Sequence, residues 1–181
     1  MKDVVRLKTS LQAEIEQMLN DQIAMEAKAS SNYLALAAWC SANGYDNSAD
    51  HFMAQSDEER AHMLKLFNYV MDLGGDVSSP EVTGINHDFD GFRGVFEYAL
   101  EQEIQVTQSI NRIVGKCHEL NDYTTAAFLQ WFLNEQVEEE WVARRAVELF
   151  DIIGEDGIGK FEIDRRIPKI SYGGEGEATA E

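Results

Sequence analysis

Four carboxylates and one histidine break stripes that otherwise read as apolar. Taken at steps of three or four residues, Ile15, Leu19, Gln22, Glu26, Ala29, Tyr33 and Ala37 share one helical face. Phe52, Gln55, Glu59, His62, Leu66, Val70 and Leu73 share a second, and Phe96, Leu100, Glu103, Thr107, Ile110 and Val114 a third. Leu129, Phe132, Gln136, Glu139, Ala143, Ala146 and Phe150 make a fourth. Each stripe carries its acid near its middle. Four buried carboxylates without counter-charge would cost several kcal/mol each, on the order given for buried ions. Two divalent cations would cancel that charge and take neutral His62 as a nitrogen ligand. Mixed carboxylate and imidazole ligation suits iron or manganese, and zinc would also bind.

For this chemistry the four acids must stand level. The only prolines, Pro80 and Pro168, lie outside the periodic stretches, and helices are expected near 10–42, 46–73, 90–120 and 123–153. Thr9 or Ser10, Asp46 or Asn47, and Asp90 are the expected caps, with Gly44, Gly74-Gly75 and Gly154 as stops. Helices of this length run about 42–50 Å at 1.5 Å per residue. Their midpoints fall at Glu26, near Glu59 and His62, near Glu103, and near Gln136 and Glu139, so a bundle of equal helices would bring these residues into one layer. Short links at 43–45 and 121–122 make two antiparallel hairpins. The link 74–89 can reach about 53–58 Å when extended, enough to cross the bundle's whole length and leave helices two and three parallel. A short amphipathic piece around Ile158, Phe161 and Ile163 follows, and residues 171–181 read as a disordered acidic tail. The expectation is an all-α bundle over residues 1–170.

The chain has 181 residues, 33 acidic against 15 basic, and a net charge of −18. Such a charge repels nucleic-acid phosphate and anionic lipid and attracts cations. No run of about 18 apolar residues occurs, and the first residues lack a signal-peptide core. Cys40 and Cys117 are too few for a disulfide framework. A cytoplasmic protein with reduced thiols and no membrane or nucleic-acid partner is expected.

The residues around the four acids resemble a bacterial non-haem ferritin. The likeness rests on Asn20-Asp21-Gln22 through Glu26 and Tyr33, Ala38-Trp39-Cys40, Glu58-Glu59-Arg60-Ala61-His62, Thr107-Gln108, and Phe128-Leu129-Gln130-Trp131 through Glu135-Gln136-Val137-Glu138-Glu139-Glu140. It covers roughly residues 10–165. Ferritin-like di-iron proteins take a Glu from each of two helices and Glu-x-x-His from the other two. The resemblance implies a ferroxidase centre in which Glu26, Glu59 and His62 hold one iron, Glu59 bridges, and Glu103 and Glu139 hold the second with Gln136 nearby. Relatives such as bacterioferritin and rubrerythrin carry a second Glu-x-x-His on the fourth helix. Here that slot reads Gln136-x-x-Glu139, which should loosen the second metal and suits iron in transit. Haem is not expected, because Arg60 and Ala61 stand where bacterioferritin would place a methionine.

Glu135, Glu138, Glu139 and Glu140 crowd six residues of the fourth helix, with Asp57 and Glu58 on the second. A solvated acidic face explains such a cluster equally well. The resemblance implies a third iron held by Glu58, Glu135 and Glu138, sharing Glu139. It also implies that Tyr33, two turns beyond Glu26, hydrogen-bonds near the irons and supplies an electron, where a core aromatic is the plainer alternative. Trp131 either reports on the site or is packing. His51, His87 and His118 have no comparable setting.

As a whole, the resemblance implies oxidation of Fe(II) by O₂, storage of Fe(III) as a mineral, and a shell of twenty-four subunits carrying roughly −430 charges, with the short fifth helix at a symmetry axis. Three other readings stay open. A different di-iron oxidase or peroxidase would want the second Glu-x-x-His. A DNA-protecting mini-ferritin would place its site between subunits, and a structural bundle would gain stability from Glu103→Leu with Glu139→Leu.

Overall fold

The computed structural model describes residues 9–173. Its helices are α1 (Ala13–Ala42), α2 (Asp46–Asp72), α3 (Gly91–Leu120), α4 (Tyr123–Ile153) and α5 (Gly159–Arg166), followed by a 3-10 turn at Ile167–Lys169. No strand occurs among the described residues, and no helix is long and apolar enough to cross a membrane.

Contacts between helices give their directions. Gln12 and Glu14, at the start of α1, bond to Leu120 and Lys116 at the end of α3, while Tyr33 reaches Glu103. Hence α1 and α3 are antiparallel. The α1–α2 hairpin is antiparallel too, with Ser30 and Ser56 each donating to the other's carbonyl at 2.8 Å. Helices α2 and α3 therefore run parallel, and the link between them travels the bundle. It does so beside α1: Asn20 donates to Asp76 at 3.0 Å and accepts from Ser78, Gly84 passes the Lys28 ammonium, and Phe89 meets Trp39 edge-on.

Apolar packing forms two clusters with a gap between them. One gathers Tyr33, Leu36, Phe52, Phe96, Ala146 and Phe150 with Ile163 and Ile167 from the C-terminal segment. The other gathers Ile15, Leu19, Ile23, Leu66, Ile110 and Phe132. On every long helix the chain leaves one cluster and enters the other across a stretch holding the expected acid. Full burial of each such side chain is worth about 1.5–3 kcal/mol, so the two clusters fix the register in which the polar layer must meet. Cys40 and Cys117 are free and lie in opposite clusters. Burial pushes their thiols up to about 12 and about 11, which keeps them protonated.

The helix starts differ from the caps expected in the sequence. Helix α1 begins at Ala13 without a side-chain cap, because Thr9 spends its hydroxyl accepting from the Leu11 N–H at 3.0 Å. Asp46 is the first residue of α2 and does not cap it. That end is satisfied from across the fold by Asp164 of α5, which accepts from the Ser48 N–H at 2.8 Å, the Ser48 hydroxyl at 2.7 Å and the Asn47 amide at 2.7 Å. Asp90 does precede α3 but makes no cap bond. The left-handed Gly91, φ +77°, turns the chain between it and the first helical turn. Of the expected tail, Tyr172 packs edge-on against Trp141 at 5.7 Å, and residues 174–181 lie outside the described residues.

Candidate metal centre

The expected residues meet in the gap between the apolar clusters. Glu26, Glu59, His62, Glu103, Gln136 and Glu139 are all buried, none more than 6% exposed. One ligand atom each from Glu26, Glu59 and His62 lies within 4.8 Å of the others, and the same is true of Glu59, Glu103 and Glu139. Glu59 belongs to both groups. His62 Nδ1 faces inward, 3.6 Å from both Glu59 and Glu139.

Among the described residues these carboxylates are short of partners. Glu26 Oε2, Glu59 Oε2 and both oxygens of Glu139 accept no hydrogen bond. Burial raises all four acids above the ordinary carboxyl value, Glu103 to about 7, Glu59 and Glu139 well above it with help from neighbouring acids. Burial also lowers His62 to about 4, so the imidazole is neutral and able to donate a lone pair. Buried acceptors without donors are costly unless a cation completes them. The donor set of four carboxylates and one neutral imidazole fits divalent cations such as iron or manganese.

Two amides and a phenol trim the layer. Gln22 donates to Glu26 Oε1 at 2.8 Å, Gln136 to Glu103 Oε2 at 3.1 Å, and the Tyr33 hydroxyl to Glu103 Oε1. Tyr33 is 2% exposed and stacks on Phe52. Gln22 was not expected as a site residue. Its signal was present, a polar side chain on the α1 stripe one turn before Glu26.

The third group is only partly assembled. Glu58 comes within 4.8 Å of His62 and Glu139 in ligand-atom distance. Glu135 and Glu138 join no such close group among the described residues, although burial and then their charges raise the Glu58 carboxyl. Glu58, Glu135 and His62 line an open depression of about 570 Å³ that also holds Lys65 and Trp131. His51 is half-buried away from this layer against Phe52, and desolvation lowers it to about 4.

A family profile described as a ferritin-like domain matches residues 16–153. The chain belongs to the ferritin family. Among its relatives, a probable bacterial non-haem ferritin-like protein of Haemophilus influenzae is 34% identical over 161 residues, covering 89% of this chain and 98% of that one. The bacterial non-haem ferritin of Campylobacter jejuni is 35% identical over 161 residues, covering 89% and 96%. The open-pore ferritin of the hyperthermophilic archaeon Archaeoglobus fulgidus superposes with a TM-score of 0.84 at 32% identity, covering 87% of this chain and 98% of that one. The four-helix bundle with a short fifth helix is thus the ferritin architecture, and the acidic layer sits inside a ferritin subunit.

Proposed function

We propose that this ferritin subunit oxidises Fe(II) with O₂ at the buried layer and passes Fe(III) to a mineral held in a shell of identical subunits, twenty-four by likeness to the family. Iron storage follows from membership of the ferritin family. The observation that carries the oxidation step is the pair of ligand groups sharing Glu59, whose members Glu26, Glu59 and Glu139 keep buried carboxylate oxygens without hydrogen-bond partners.

Each residue has a task in this reading. Glu26 and His62 hold the first iron, Glu103 and Glu139 the second, and Glu59 bridges. Two Fe(II) held side by side would give two electrons to one O₂, which would take up two protons and leave as hydrogen peroxide, and the carboxylates would favour the more highly charged Fe(III) product. Because burial raises these carboxyls, Glu103 to about 7, they hold protons more tightly than free carboxyls do, and iron uptake displaces those protons. Gln136 supplies an amide where a second acid would bind more tightly, so oxidised iron leaves. Tyr33, bonded to Glu103, stands where it can supply a further electron. Glu58 with Glu135 and Glu138 takes a third iron at the depression's mouth.

Crystals soaked anaerobically in Fe(II) test the assignment. Anomalous scattering should place two irons in the layer and a third beside Glu58. Iron on the surface alone would refute it.

A further inference from the structure

The His62 ring is held by aromatic faces. Its inward-facing Nδ1 lies 3.6 Å from the nearest carboxylate oxygens, beyond hydrogen-bond reach, and among the described residues the outer nitrogen, Nε2, makes no hydrogen bond to a protein group. Metal-binding histidines ordinarily have their ring plane set by a hydrogen bond from the second nitrogen to a carboxylate or carbonyl. Here two successive residues of α4 bracket the ring edge-on: Trp131 at 5.4 Å and 77°, Phe132 at 5.9 Å and 71°. The two brackets are themselves perpendicular, 4.9 Å apart.

They differ in how firmly they are held. Phe132 is 1% exposed within the apolar cluster, whereas Trp131 is 36% exposed at the depression. Trp131 is covered on its open face by Lys65, whose Nζ lies 3.7 Å from the indole centroid. Lys65 follows His62 by three residues, so α2 presents both the ring and the cation that covers its bracket. Glu58 and Glu135 line the same depression, yet among the described residues Lys65 pairs with neither and rests on the indole.

The geometry points to Trp131 as the positioning residue that fixes the plane of His62 for metal, with Lys65 as the clasp that keeps the indole in place. This rests on the proposed iron site. Without the indole, the imidazole must be ordered when metal binds, and the cost falls on the His62 group alone. Among the described residues Glu59, Glu103 and Glu139 make no hydrogen bond or ion pair with Trp131 or Lys65.

Calorimetric titration of the metal-free full-length protein with Co(II), followed in parallel by its visible ligand-field absorption, tests this. Loss of a binding class in His62→Ala identifies the imidazole site. Trp131→Ala should weaken that class about tenfold, the low end for groups that orient a ligand, and leave the other buried class unchanged. Trp131→Phe should restore most of the affinity, and Lys65→Met should produce a smaller loss in the same class. Equal weakening of both classes, or none, in Trp131→Ala would overturn the positioning role while the metal site stood. A wild-type protein with no His62-dependent class would overturn the metal site and the proposal together.

Discussion

Gln136 of α4 donates to Glu103 of α3 at 3.1 Å, so an uncharged amide sits against a buried acid where two carboxylates would repel. In the metal-free protein that amide satisfies one of the few carboxylate oxygens with a partner. Gln136→Glu removes the donor and adds a buried acid. Metal-free protein should lose about 2 kcal/mol, as expected for a buried group left unsatisfied, while Zn(II) binds more tightly at the Glu59, Glu103 and Glu139 group. Melting and calorimetry check both signs. Unchanged melting would mean that the amide does not relieve the acidic layer.

Stability should fall with rising pH when metal is absent. The ordinary carboxyl value is 4.5 and Glu103 is raised to about 7 by burial. Between those values the unfolded chain has released a proton that the folded chain still holds, so raising pH favours unfolding. Bound Zn(II) displaces those protons, and its affinity should rise with pH. Melting of metal-free protein from pH 5 to 7 should therefore show a declining midpoint, shallower in Glu103→Leu with Glu139→Leu. That double variant should be more stable at pH 7, as hydrophobic replacement of buried charge often is, and should lose fast iron oxidation. An equal slope in variant and wild type would assign the decline to general acidity.

Asp164 secures α5 to the start of α2 through three short hydrogen bonds to Ser48 and Asn47. Asp164→Ala should destabilise the metal-free protein by about 2 kcal/mol, the upper range for a lost helix cap. Asp164→Asn, which keeps an acceptor, should lose less. Equal melting of all three proteins would show that solvent satisfies this helix end.

Glu135 and Glu138 influence Glu58 by charge without joining its close ligand group. Glu135→Ala with Glu138→Ala should lower tightly bound iron from three to two per chain, counted by anaerobic equilibrium dialysis. Three retained irons would leave Glu58, His62 and Glu139 as a sufficient set.

Much of this fold could be read in advance because its information is periodic. Helical stripes placed the ends of α1 to α4 within three residues, and the length of the 74–89 link implied the parallel relation of α2 and α3. The acidic layer was legible for the same reason, since Glu26, Glu59, Glu103 and Glu139 break apolar stripes. Contacts between distant residues were not. Asp164 caps a helix 116 residues earlier in the chain, and no local pattern marks that partnership. Gln22 looked like one more interruption until its amide met Glu26. The Lys65–Trp131 contact depends on side-chain rotamers across two helices, which spacing does not encode. The third group is less complete for a related reason: Glu138, one residue before Glu139, is turned about 100° from its ligand face, whereas Glu135, one turn earlier, shares that face and lines the depression with Glu58 and His62.

Oxidation of iron at the layer around Glu59, before mineral forms, is tested most directly by aerobic titration of Fe(II) into metal-free protein. Ferric absorbance is followed against iron added per chain. A fast phase saturating at two or three irons per chain, then slower growth, is the predicted result. Iron that oxidises only as fast as in buffer, at every ratio, would contradict it.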